Sequence, residues 1–237
     1  MSEKIKRFPT FVGGLDEMLE GGFPREAVVL FSGRAGSMKS SLAFSILYNL
    51  ARTEGIKCIY LSLEQRSESL LRHMNKLGMD PEKHAKDMMI LDLGKLRDIT
   101  ELDFTLEQKD WMPHLLDGIR TYKENMGCDI VAIDSLDALY ALSPMTNPRI
   151  KLFHFIEGLR DLNISTFLIT EIREEHTKFG HFGIESFLAD GIIHLDLVRD
   201  GKNVHLYIGI AKMRETNHSR DYFPLLVDKD GFNIVKD

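Results

Sequence analysis

Lys39 and Ser40 stand together at the end of a glycine-punctuated turn, GRAGSMKSS, that follows an apolar, β-branched run from Ala27 to Phe31. An ammonium beside a hydroxyl in that setting suits a polyphosphate. Strand, Gly-rich turn, Lys-Ser and helix make up the layout of a phosphate-binding loop. Backbone N–H groups across Gly33, Arg34, Ala35, Gly36, Ser37, Met38 and Ser41 would cradle phosphate oxygens, helped by the positive end of the helix dipole. Lys39 would reach the β and γ oxygens of ATP, and the Ser40 hydroxyl would ligate Mg2+. The usual pattern has glycine immediately before the lysine, where this chain carries Met38. A methionine fits there only with helical φ and with its Cβ turned from the ligand.

Three further apolar runs end in polar residues, and in open α/β sheets ligands bind outside the carboxyl ends of the strands. Asp134 ends the run in DIVAIDSLDAL and could hold Mg2+ through water; otherwise it is a turn or helix-capping aspartate. Glu64 follows CIYLSL and could deprotonate the attacking water; otherwise it is a solvated glutamate opening a helix. Thr170-Glu171 could sense a γ-phosphate.

The elements that must position these groups read as follows. Phe8 to Phe23 holds a short glycine-bounded helix with Leu15, Met18 and Leu19 inward and Asp16, Glu17 and Glu20 on a solvated face. Leu42 to Leu50 is an amphipathic helix, followed by a turn from Arg52 to Gly55. Strands are expected at Cys58–Leu63, Met88–Leu93, Ile130–Ile133 and Ile164–Ile169, and helices at Ser67–Leu77, Trp111–Met126 and Pro148–Leu162. Residues 94–110 read as a loop or irregular helix. Gly191–Leu197 and Val204–Met213 form a hairpin across Arg199-Asp200-Gly201-Lys202, and Leu225–Val235 forms another across Asp230-Gly231. This order implies one α/β domain with a mainly parallel sheet, helices on both faces and an antiparallel C-terminal extension.

The 237 residues suffice for one well-buried domain. A net charge of −6 argues against a protein devoted to non-specific nucleic-acid binding. The two cysteines, Cys58 and Cys128, each stand alone in apolar context and read as reduced core thiols. No apolar run approaches the length of a membrane span and MSEKIKRFPT has no signal-like core, so a cytoplasmic protein is expected. His176 and His181, with the glutamates of TEIREEHTKFGHFG, match no recognised ligand spacing and read as a mobile polar loop.

The stretches FVGGLDEMLEGGFPREAVVLFSGRAGSMKSSLA, YLSLEQ, DIVAIDSLDAL, GIESFLADGIIHL and IAKMRETNHSRDYFPL resemble, in order, the KaiC-like branch of the RecA superfamily of P-loop ATPases. The resemblance runs from about Phe8 to Asp237 and is greatest to single-domain archaeal KaiC-like proteins. It implies a three-layer α/β/α RecA-like fold that binds ATP with Mg2+ and assembles into homo-oligomeric rings, usually hexamers. It implies that Asp134 holds Mg2+, that Glu64 is the catalytic base, and that it ends a strand next to the P-loop strand. Lys212, Arg214, Thr216, His218 and Arg220 match the family's K-x-R-x-T-x-H-x-[KR] segment, which reaches the neighbouring subunit's nucleotide; Lys212 and Arg214 would act as arginine fingers do. Three departures are Met38, Gln65 in place of a second glutamate, and Glu215 in place of a glycine. The function so implied is a slow ATPase acting as a nucleotide-dependent regulatory or assembly switch on an unidentified protein partner. The alternatives are a recombination mediator of the RadB or recombinase-paralogue type and a pseudo-ATPase scaffold. LYALSPMTNPRIK and REEHTKFGHFG are mixed in charge where DNA loops should be basic or Gly-rich, so nucleic acid is not expected as a partner; nor, without a long apolar run, is a membrane.

Overall fold

The computed structural model describes residues 5–100, 110–172, 179–229 and 231–235, the side chains of 97–100 excepted. Parts of the sequence expectations fall outside these residues: 101–109 of the irregular stretch, 173–178 with His176, and Asp230 of the last turn.

An antiparallel pair, β1 (Arg7–Phe8) and β2 (Phe23–Pro24), brackets a one-turn helix, α1 (Leu15–Met18). The chain then runs β3 (Val28–Gly33), α2 (Lys39–Asn49), β4 (Cys58–Ser62), α3 (Ser67–Lys76), β5 (Met88–Asp92), α4 (Leu93–Thr100), α5 (Trp111–Met126) and β6 (Ile130–Asp134). It continues with α6 (Leu136–Ala141), α7 (Pro148–Asp161), β7 (Ser165–Glu171), α8 (Glu185–Leu188), β8 (Gly191–Asp200), β9 (Asn203–Met213), β10 (Tyr222–Asp228) and β11 (Gly231–Ile234).

Nine strands form one sheet in the order β11-β10-β9-β8-β3-β7-β6-β4-β5. From β8 to β5 all neighbours are parallel, and β9, β10 and β11 extend the sheet antiparallel, as expected. Parallel strands covered on both faces need apolar side chains on both, which is why they read as continuous rather than alternating runs. Val29, Phe31, Tyr60, Ala132, Phe167 and Ile193 pack on one face with α2, α3 and the N-terminal segment. Val28, Leu30, Leu61, Val131, Ile133 and Leu168 pack on the other with α5, α6 and α7. Three layers follow from that alternation.

Several expectations are corrected. The helix after the loop starts at Lys39 and is buried almost all round, from Leu42 to Tyr48, in a core shared with the sheet and with residues of α1 and α3; it is not amphipathic. The expected turn at Arg52 is a π-helical continuation, Leu50–Glu54, closed by Gly55 at φ 65°. α4 is regular where a loop or irregular helix was expected, and α6 and the β1–β2 pair are additional elements. On the expected solvated face Glu17 and Glu20 are exposed, but Asp16 is half-buried and its Oδ1 accepts the Thr10 backbone N–H at 2.7 Å. The largest correction concerns Glu64. β4 is not next to β3 but separated from it by β6 and β7, so Glu64 approaches the loop across two intervening strands.

Candidate functional site

Register brings the polar strand ends level. Gly33 is paired with Glu171 of β7 and with Leu195 of β8, while Asp134 is paired with Ile169 and with Ser62. Gly33 must be glycine because a Cβ would lie 2.2 Å from the Leu195 carbonyl oxygen. Beyond it Gly36 and Met38 take left-handed backbone, φ 81° and 62°, separated by one residue. Alternation of this kind turns successive N–H groups toward one concavity, which suits a phosphate. Met38 therefore does not have the helical φ that the sequence required of it. Its side chain is half-buried and packs on the α2 face of the core. Arg34, Ala35 and Gly36 are exposed, and Ser37 is buried.

Lys39, Ser40, Glu64 and Asp134 line one cavity of about 280 Å3 with Met38, Ser41, His73, Ser135 and Glu171. Lys39 is 5% exposed and its Nζ donates to the Arg34 carbonyl at 2.8 Å. Burial lowers its pKa; Glu171, Asp134, Asp137 and Glu64 oppose that shift and favour the charged ammonium. Ser40 Oγ donates to Asp134 Oδ1 at 3.1 Å. The other carboxylate oxygen, Oδ2, accepts the Tyr60 hydroxyl at 2.5 Å. Burial raises the pKa of Asp134, against hydrogen bonds from Tyr60 and Ser40 that stabilise its charge. A hydroxyl and a carboxylate side by side form a hard oxygen set that fits Mg2+.

Glu64 reaches the cavity through the turn after β4, where its Oε1 accepts the Ser135 hydroxyl. Ser135 also caps α6 by accepting the Ala138 N–H at 3.3 Å, so it is fixed on both sides. Glu64 also lines a second cavity with Gln65, Arg66, Asp92 and Gly94; Gln65 lines only that one, which Lys39 does not reach. Thr170 Oγ1 donates to Asp137 Oδ2 at 3.0 Å, and the same oxygen accepts the Glu171 N–H at 2.8 Å. Asp137 Oδ1 is 3.3 Å from His181 Nδ1.

The C-terminal candidates lie elsewhere. Lys212 Nζ donates to the carbonyls of Ser186 at 3.0 Å and Ala189 at 2.6 Å. Arg214 Nη1 pairs with Asp190 Oδ1 at 2.8 Å, and that oxygen also receives Arg160 at 3.0 Å. Thr216 Oγ1 accepts from Arg7 at 2.9 Å, His218 Nδ1 is 2.6 Å from the Ser219 carbonyl oxygen, and Arg220 is exposed. Glu215, where a glycine was expected, keeps a left-handed φ of 57°.

Sequence reasoning missed Tyr60, His73, Ser135 and Asp137. Asp137 had a signal, a carboxylate in the first turn after Asp134-Ser135. Tyr60 had a weaker one, since a tyrosine in a buried strand needs a hydroxyl partner.

A family model for the KaiC ATPase matches residues 8–237. A circadian clock oscillator protein KaiC from Picosynechococcus is 26% identical over 235 residues, which is 97% of this chain and 44% of that protein. KaiC 1 from Synechocystis is 25% identical over 233 residues, with the same coverage. The chain thus spans less than half the length of these curated relatives. The crystal structure of a KaiC-like protein from the archaeon Pyrococcus horikoshii superposes with a TM-score of 0.83 at 28% identity, covering 98% of this chain and all of the other.

Proposed function

Because the chain belongs to the KaiC family of ATPases, we propose that it binds Mg·ATP at the β3–α2 loop and hydrolyses it slowly, as a nucleotide-dependent switch in its own assembly. The observation that carries this is the meeting of Lys39, Ser40, Asp134 and Glu64 in one cavity from three separate strand ends. In this reading Lys39 exchanges its bond to the Arg34 carbonyl for β and γ oxygens. Ser40 and Asp134 would hold Mg2+, which when bound neutralises phosphate charge. Glu64, oriented by Ser135, takes the proton of the attacking water. Gln65 does not line the cavity that holds Lys39, Ser40 and Asp134 and has no part in that step.

Lys212 and Arg214 point to the α8–β8 junction of their own chain and are proposed to act on a neighbouring subunit's nucleotide. Their bonds to Ala189 and Asp190 would hold them ready for a charge that only a second copy brings. A ring is the arrangement that supplies one such neighbour to every site. The test is mass determination in solution with and without Mg·ATP, with phosphate release followed in parallel. ATP-dependent assembly with slow release is expected; a monomer that turns over at full rate would refute the interface reading. Single-stranded DNA binding with a steep salt slope would favour a recombination mediator instead.

A further inference from the structure

Tyr60 sits in the middle of β4, is 0% exposed, and packs its ring against Phe44 of α2 at 5.0 Å and 62°. It lies level with Ala132, two residues before Asp134 on β6, so its hydroxyl points along the strands to the carboxylate. That hydroxyl donates to Asp134 Oδ2 at 2.5 Å, and the Ser40 carbonyl oxygen is its only other acceptor, at 3.4 Å, among the described residues. A phenol has one proton, so the shorter contact is the bond. The ring is wedged between α2 and the sheet, and cannot follow a carboxylate that swings away. Asp134 therefore has one oxygen tied to Tyr60 and the other, Oδ1, turned to Ser40.

We infer that Tyr60 is a positioning residue that leaves only Oδ1 of Asp134, beside Ser40, turned to the cation and so selects a small octahedral cation over Ca2+. This rests on reading the cavity as a Mg·ATP site. Mg2+ and Mn2+ are served by one carboxylate oxygen or by a water held on it. Ca2+ gathers six to eight oxygens at longer distance and often takes both oxygens of a carboxylate. With Oδ2 accepting the phenol at 2.5 Å, a second contact from the cation has to compete with that bond. A purely structural tie between β4 and β6 would affect stability and leave cation preference alone.

The experiment is calorimetry of a non-hydrolysable ATP analogue with Mg2+, Mn2+, Ca2+ or EDTA, on wild type and Tyr60→Phe. The phenylalanine keeps the ring packing and removes only the donor. Wild type is expected to prefer Mg2+ and Mn2+ over Ca2+. In Tyr60→Phe that preference should shrink about ten-fold, the scale of one hydrogen bond to a charged group, with the EDTA affinity unchanged. An unaltered Mg2+-to-Ca2+ ratio in a cooperatively unfolding variant overturns the inference and leaves the ATP reading intact. Should the variant not fold, wild type decides: Ca2+ within two-fold of Mg2+ also overturns it. A wild type that binds no nucleotide overturns both.

Discussion

Met38 offers a direct measurement of what the loop's backbone costs. It holds φ 62° and ψ 21° at the entry to α2. Left-handed backbone costs a residue with a Cβ roughly 1–2 kcal/mol, because the Cβ crowds the following carbonyl. Met38→Gly removes that cost. Against it stand the extra freedom of glycine in the unfolded chain, ~0.4–1 kcal/mol, and loss of a half-buried side chain, about 1 kcal/mol given ~1.5–3 for full burial. The glycine variant should therefore fall within about 1 kcal/mol of wild type. Met38→Ala keeps the strain and loses the packing, so it should be the least stable of the three. Glycine should exceed alanine by about 1 kcal/mol, a Tm gap of roughly 2–4 °C in a chain of this size. Thermal and urea unfolding without nucleotide or metal would read it. An alanine variant as stable as the glycine one would mean that position 38 is not left-handed. Nucleotide affinity in Met38→Gly should be no weaker than in wild type.

Glu64→Gln should lower single-turnover phosphate release by about 10²- to 10⁴-fold while calorimetry shows ATP still bound; release at the wild-type rate would remove Glu64 as base. Arg214→Ala and Lys39→Ala should each lose on the order of 10³-fold in turnover, and mixing them should restore part of it, because some interfaces then join an intact loop to an intact finger. No recovery on mixing would place Arg214 in a structural role alone. His194 is held by Tyr222 at 2.8 Å and by the ring of Phe179, and burial lowers its pKa. Its neutral form is the folded one, so its contribution is present above the unfolded value of about 6.5 and is lost as pH falls through the lower folded pKa. The urea midpoint should drop between pH 7.5 and 5.5, and less so in His194→Gln; equal drops would assign the effect elsewhere.

The parallel strands β3 to β7 were legible to within two residues because both faces of a parallel sheet are apolar, whereas β8 and β10 each run three residues beyond the expected bounds and β1 and β2 carried no such run. Their order was not. Which strands become neighbours depends on long crossovers, and the sequence carries no mark of β6 and β7 standing between β4 and β3. The loop, Asp134 and Glu64 were readable as residue types at strand ends, and they do line one cavity. Which residue partners Tyr60 was not, because it lies 74 positions away. Met38 and Glu215 teach something different: each stands where glycine was expected, and each keeps the left-handed backbone glycine would have had.

The place of β3 between β7 and β8 also bears on how the chain is made. During synthesis the segment VVLFSG emerges early, and neither strand that will flank it exists until residues 165–171 and 191–195 have followed. At ~5–20 residues per second the delay before its first neighbour arrives is on the order of ten seconds. Over that interval an apolar strand with two unpaired edges is exposed to every other nascent chain. A truncated product ending before β7 would keep those edges permanently, and should partition to inclusion bodies or to chaperones rather than fold.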